Sequence, residues 1–140
     1  MTYDVIVIGA GLAGLVSATA LAQAGRRVLL LARGAGCTHL SSGCVDVLGR
    51  AGDEDISSPG EALPAFMSGY PEHPYARVGM GLLAEALDYF RRETNRAEWP
   101  YEGGLDANWR LPTAAGAARP TCLAPASMVE GDVRRSEPML

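Results

Sequence analysis

An α/β fold built on a parallel sheet is predicted by three observations. Val5-Ile6-Val7-Ile8 and Val28-Leu29-Leu30-Leu31-Ala32 are short apolar runs of strand length. Between them lies a glycine cluster, Gly9-Ala10-Gly11-Leu12-Ala13-Gly14, followed by a small-residue apolar segment that continues to Gly25. The order strand, glycine turn, helix, strand is that of a βαβ unit, in which the crossover helix makes the two strands parallel.

Each part of that unit has a physical reason. The first strand is β-branched, with no charge after Asp4. Gly9 allows a tight turn out of the strand, Gly11 lets a pyrophosphate approach without meeting a Cβ, and Gly14 lets the helix lie close on the sheet. Backbone N–H groups of the turn, those of Ala10 and Leu12 included, and the positive end of the helix dipole would hold the phosphates. No lysine is needed, and all twelve basic residues of the chain are arginine. The helix is expected over Leu12 to Ala24, rich in alanine and leucine, with Gly25 as its stop and Arg26-Arg27 beyond its negative end. The second strand is apolar throughout, as expected of a parallel strand covered on both faces.

The end of that strand departs from the usual dinucleotide pattern. An acidic residue normally stands there to hold the adenosine ribose hydroxyls. Here the position is Ala32, followed by Arg33, and neither side chain can accept a hydrogen bond from a ribose. The turn is thus well specified as a phosphate cradle and poorly specified for NAD or for FAD held in the usual way. A mononucleotide flavin, FAD held differently, and NADPH with Arg33 on its 2′-phosphate stay open.

Gly34 to Gly43 is small and hydroxyl-rich. A loop directly after the second strand lies near the carboxyl ends of the strands, where doubly wound sheets bind ligands. Ser41, Ser42 and Gly43 are therefore candidates to touch a cofactor, against the plain reading of a connecting loop. His39 reads as a solvated loop histidine. Cys44 to Leu48 alternates briefly, as a short strand or a helical turn would. Residues 1–48 thus form the βαβ unit and cofactor loop.

Residues 49–98 read as a loop and helical insertion. Gly49 to Gly60, with Asp53, Glu54, Asp55, Ser57, Ser58 and Pro59, is expected to be an exposed loop; its acids lack the alternation of a calcium loop. One or two helical turns are expected over Glu61 to Met67. A turn cluster, Tyr70-Pro71-Glu72-His73-Pro74-Tyr75, then introduces one long amphipathic helix over Ala76 to Glu98. Its expected core stripe is Val78, Leu82, Leu83, Ala86, Leu87 and Phe90. Residues 99–140 read as β-rich. Ala107–Leu111 and Arg119–Leu123 are candidate antiparallel strands, Tyr101 and Trp109 anchor a satellite core, and Ala124 to Arg135 is turn-like with a bend at Gly131-Asp132. The chain stops at Glu137-Pro138-Met139-Leu140 as an apolar run begins, which suggests the N-terminal part of a longer protein.

Composition narrows the function. A net charge of −4 with scattered arginines gives no nucleic-acid footprint. No run approaches the roughly 20 apolar residues that span a bilayer, so no transmembrane segment of its own is expected. The three cysteines, Cys37, Cys44 and Cys122, form no CxxC pair, and neither a zinc site nor an iron–sulfur cluster is expected.

Three segments carry a resemblance: DVIVIGAGLAGL, SSGCVDVLG and HPYARVG. The first is shared by the whole Rossmann-like FAD/NAD(P)-binding superfamily. The second and third, with the later LPTAAGAARPTCLAP, are more specific, and with them the chain resembles the B subunit of anaerobic glycerol-3-phosphate dehydrogenases over about its first third. The resemblance implies a Rossmann-like FAD/NAD(P)-binding fold with an incomplete parallel sheet, a helical insertion and a small antiparallel β segment. It implies a flavoprotein subunit holding FMN, with FAD as the alternative, in an oxidoreductase acting on a CH–OH group with quinone as acceptor. The implied reaction is sn-glycerol 3-phosphate to dihydroxyacetone phosphate. Substrate would be oxidised on the catalytic flavoprotein A subunit, and electrons would pass through an iron–sulfur C subunit to membrane quinone. The implied location is cytoplasmic, peripheral on the inner face of the membrane through the partner subunits. The cofactor role falls on Gly9, Ala10, Gly11, Leu12 and Gly14, with Arg33, Ser41, Ser42 and Gly43. No residue is assigned as catalytic and none as a metal ligand. Two other readings compete: an NADPH-dependent reductase domain, and a non-catalytic assembly subunit that keeps the fold. The 140 residues alone are expected to expose an unpaired sheet edge and to aggregate.

Overall fold

A computed structural model describes residues 2–135. It divides into two compact units, Met1–Gly43 and Cys44–Leu140.

In the first unit, β1 (Val5–Ile8) and β2 (Val28–Leu31) pair in parallel with Val5 opposite Val28 and Ile8 opposite Leu31. The crossover is α1 (Leu12–Gln23). The ladder is pinned at both ends. At its start, the Arg27 amide donates to the Asp4 carboxylate (2.8 Å) and the Asp4 amide to the Arg27 carbonyl (2.8 Å). At its far end, the Gly9 amide donates to the Leu31 carbonyl (2.8 Å). Gly25, at φ +76°, closes the helix as expected. The strands are not covered on both faces. Ile8 is 85% exposed, Ile6, Leu30 and Leu31 are also exposed, and α1 buries no residue. Two strands and one helix supply too little surface to cover this sheet, which is the incomplete parallel sheet of the expected fold. A short 3-10 turn over Cys37–Leu40 follows.

The second unit begins with Cys44 to Leu48, which forms neither a strand nor a helical turn. One bridge joins Val45 to Leu123, with both backbone hydrogen bonds made. The stretch expected to be an exposed loop instead holds a tight hairpin, β3 (Arg50–Ala51) with β4 (Glu54–Asp55). It then enters α2 (Pro59–Gly69), where Pro59 and Leu63 are buried. Ser58 caps α2 by accepting from the Glu61 amide (3.3 Å).

The single long helix expected over 76–98 is two helices, α3 (Pro74–Val78) and α4 (Met80–Arg96). The break is Gly79, whose φ of +80° belongs to the left-handed region that ends helices. Of the expected apolar stripe only Val78 precedes the break, and the other residues lie on α4. Leu87 is buried and Phe90 packs on the core, whereas Val78, Leu82 and Ala86 are exposed. The C-terminal part is β-rich: β5 (Tyr101–Gly103) pairs antiparallel with β8 (Leu123–Pro125), and β6 (Trp109–Pro112) with β7 (Ala118–Thr121). The second pairing is the expected hairpin, its first strand starting two residues later than predicted. Ala126–Val129, expected to be turn-like, is a helical turn, α5. Tyr101 packs on Leu87, Cys122 and Leu123, and Trp109 on Leu111, Ala124 and Val129, so the satellite core is two clusters. The apolar run at Glu137–Leu140 lies outside the described residues.

Candidate cofactor site

The turn between β1 and α1 is shaped by close backbone approach. Gly9 leaves the strand at φ +107°, a conformation that disfavours a side chain. A Cβ on Gly14 would overlap the Gly9 carbonyl oxygen and lie 3.1 Å from its carbon, with Val7 Cγ1 at 3.5 Å. Helix and strand are in contact there through bare backbone. Gly11 is different: a Cβ at that position would meet only Cys37 Sγ, at 3.9 Å. The space above Gly11 is open, and this is the approach a phosphate requires.

Gly11 is also the N-cap of α1, in extended conformation and without a side-chain hydrogen bond to the first turn. The leading N–H groups of a helix have no partner within the helix. Those of α1, with no acid in the first turn, present a positive end suited to an anion. Gly9, Ala10, Gly11, Leu12 and Gly14 are thereby gathered at one turn.

Sequence reasoning missed one contributor. A Cβ on Gly36 would lie 2.7 Å from the Gly11 amide nitrogen and overlap the Ala10 carbonyl. The loop after β2 therefore rests on the glycine turn at Gly36, with exposed Cys37 next to it. Gly36 is one glycine among several in a small-residue loop, and nothing local marks it. The Ser41 hydroxyl is engaged inside that loop, donating to the Thr38 carbonyl (2.9 Å) and accepting from the Gly43 amide (3.3 Å). Ala32 and Arg33, at the end of β2, are exposed, as are Ser42 and His39.

These residues fit the phosphate portion of a cofactor, which needs open backbone at Gly11 and an uncapped helix start. They offer no carboxylate at the end of β2 for an adenosine ribose.

In the second unit the two specific sequence segments are joined physically. His73 caps α3 by accepting from the Tyr75 amide at Nδ1 (3.2 Å), with the His73 and Tyr75 rings edge to face at 4.6 Å. Tyr75 in turn donates its hydroxyl to the Val47 carbonyl (2.6 Å). Burial raises the Tyr75 pKa, with Cys122 and Asp46 adding to the effect. Buried Asn108 holds the following residues, its amide donating to the Leu48 (3.0 Å) and Ile56 (2.8 Å) carbonyls. Asp46 accepts from Thr121 and lies 3.3 Å from Arg119 Nε. Among the described residues no group of three or more His, Cys, Asp or Glu could hold a metal ion, and no helix is long and apolar enough to cross a membrane.

Comparison with known proteins follows the same lines. The FAD binding domain family matches residues 4–136. The B subunit of anaerobic glycerol-3-phosphate dehydrogenase from Vibrio cholerae is 40% identical over 126 residues, covering 88% of this chain and 29% of that protein. Its counterpart from Aliivibrio fischeri is 35% identical, covering 88% of this chain and 28% of its own length. The probable B subunit from Halobacterium salinarum is 37% identical, covering 91% and 29%. The chain thus spans under a third of the curated relatives it matches. No solved structure matches.

Proposed function

The chain belongs to the FAD binding domain family, and from that premise we propose that it is the flavin-holding part of an anaerobic glycerol-3-phosphate dehydrogenase subunit. The observation that carries the cofactor reading is the open backbone at Gly11 beside the uncapped start of α1. The family description names FAD, whereas the end of β2 lacks an acid for the adenosine ribose. FMN, placed first on the resemblance, has no support from the family match. The proposed ligand is therefore a flavin, FAD by family, its phosphates on the turn Gly9–Gly14 and its ribose without a carboxylate partner at Ala32.

A bound flavin supplies a two-electron acceptor for oxidation of a secondary alcohol to a ketone. The residues in hand do the holding. Backbone N–H groups of the turn neutralise phosphate, Gly36 keeps the following loop against the turn, and Arg33 offers a cation at the end of β2. Ser42 and Gly43 extend the same loop. The proposed substrate is sn-glycerol 3-phosphate, and the proposed partners are a catalytic flavoprotein and an iron–sulfur protein passing electrons to membrane quinone. The names of the relatives support a glycerol-3-phosphate dehydrogenase with further subunits, and the nature of those subunits and the quinone rest on the resemblance. In this assembly the chain is peripheral on the inner membrane face.

A second reading is favoured by Arg33 following Ala32: an NADPH-dependent reductase domain, with the guanidinium on the 2′-phosphate. Acid extraction of the natural protein and chromatography of the released cofactor separate the two. The proposal predicts FAD, or another flavin; a flavin-free protein with strong preference for NADPH over NADH contradicts it.

A further inference from the structure

Gly36 makes a close contact that its own backbone does not require. It precedes the 3-10 turn over Cys37–Leu40 at φ −70° and ψ 164°, an extended conformation open to any residue. Other glycines of the same loop differ: Gly34 and Gly43 lie at φ +83° and +80°, where the dihedral itself favours glycine. What excludes a side chain at Gly36 is the peptide joining Ala10 to Gly11. A Cβ there would overlap the Ala10 carbonyl oxygen and lie 2.5 Å from its carbon and 2.7 Å from the Gly11 nitrogen. These three atoms belong to one planar unit, so Gly36 packs on that peptide as a whole.

That peptide is part of the proposed cradle. Gly11 is the N-cap of α1, and its N–H lies in the plane that Gly36 touches. The preceding peptide, Gly9 to Ala10, is held in the same manner, since a Cβ on Gly14 would overlap the Gly9 carbonyl oxygen. Two successive peptides of the turn thus each rest on a bare glycine. The loop on the Gly36 side is braced internally. The His39 amide donates to the Gly36 carbonyl (3.2 Å), and the Ser41 hydroxyl donates to the Thr38 carbonyl (2.9 Å). A carbon added at Gly36 is accommodated by rotation of the Ala10–Gly11 peptide or by retreat of the loop. Rotation re-aims the Gly11 N–H, and retreat opens the wall beside it. A phosphate bound through directed N–H groups loses contact in either case.

We propose that Gly36 is a positioning residue for the cofactor phosphate, fixing the direction of the Gly11 N–H through the Ala10–Gly11 peptide. The inference rests on the flavin reading and adds to it a residue outside the glycine turn. All the residues involved lie in the first unit.

Titration of FAD into the flavin-stripped natural full-length protein tests it, native beside Gly36→Ala, with phosphorus NMR spectra taken at saturation. Gly36→Ala is expected to weaken FAD about tenfold, the scale of one charged hydrogen-bonded contact, and to shift the phosphorus resonances of bound FAD. A residue with only a structural role would leave those resonances in place once the site is full. Ala35→Ser, on an exposed neighbour, is expected to match the native protein in both respects. Should Gly36→Ala fail to fold, the native protein decides. Iodoacetamide is then expected to label Cys37 severalfold more slowly with FAD bound than without, since Cys37 Sγ stands 3.9 Å from a Cβ placed on Gly11. Native affinity in Gly36→Ala, weakened binding with unmoved resonances, or Cys37 labelling indifferent to bound FAD overturns the proposal. A native protein that takes up no flavin contradicts the flavin reading, whereas equal uptake by native and Gly36→Ala proteins contradicts this one alone.

Discussion

The Tyr75 hydroxyl donates to the Val47 carbonyl at 2.6 Å, joining two segments 28 positions apart in sequence. One end of this link is the His-Pro-Tyr entry to α3, and the other is the stretch that bridges to Leu123 through Val45. A structural role for both segments follows from the one bond. Tyr75→Phe keeps the ring and its contact with His73 and removes only the donor. A loss of about 1 kcal/mol is expected, the usual net worth of such a bond, read as a lowered denaturation midpoint with an unchanged slope.

Gly14 tests the contact between helix and strand. Gly14→Ala places a methyl against the Gly9 carbonyl, where only backbone displacement relieves the clash. Destabilisation of about 1–3 kcal/mol is expected, accompanied by cofactor loss. Thermal unfolding of the variant beside the native protein measures it.

Asp132 gives the clearest acid dependence. It is 6% exposed, and Arg134 donates to it from Nε (3.0 Å) and Nη2 (2.5 Å). The hydrogen bond from Arg134 lowers its pKa below the ordinary 3.8, against the opposing effect of burial. A carboxyl depressed in the folded state adds stability that is present above the unfolded pKa and is lost as pH falls through the folded one. Asp132→Asn is therefore expected to cost about 1 kcal/mol near pH 7, since Arg134 is half exposed, and to flatten the decline below roughly pH 4. Denaturant midpoints between pH 2 and 7 provide the comparison.

The cysteines should separate by reactivity. Cys37 is exposed, while Cys122 is fully buried and burial pushes its thiol pKa from 9.0 up to about 11. At pH 8 its thiolate fraction lies roughly a hundredfold below that of a thiol at 9.0. Iodoacetamide under native conditions is expected to label Cys37 and spare Cys122 until the protein is unfolded, with peptide mass spectrometry as the readout. The raised pKa also means that the contribution of Cys122 to stability holds below pH 9 and is lost as pH rises through 11.

Local signals made the first unit legible. Two apolar runs, a glycine cluster and Gly25 name β1, α1 and β2 to within a residue or so at each end, because strand length, helix propensity and a C-terminal glycine act over a few neighbours. Gly79 shows where such reading stops. In a periodic stretch it looks like a tolerated glycine, and only its left-handed dihedral divides α3 from α4. Exposed Val78 lies across that break from buried Leu87, so a stripe drawn through both spans two helices. In the candidate site, Gly9, Gly11 and Gly14 carry their own sequence spacing. Gly36 matters through a contact with Ala10 and Gly11 made across an intervening helix and strand, which no local pattern encodes.

The flavin-to-protein ratio of the natural full-length protein, native against Gly11→Val, tests the account most directly. The space above Gly11 is open, with Cys37 Sγ at 3.9 Å from where a Cβ would stand. A valine there should leave the fold intact while filling the path of the phosphate. Yellow colour from bound flavin is predicted in the native protein and its loss in Gly11→Val, with matching unfolding curves. Equal flavin in both proteins, or none in the native one, would contradict the assignment of this turn as the cofactor cradle.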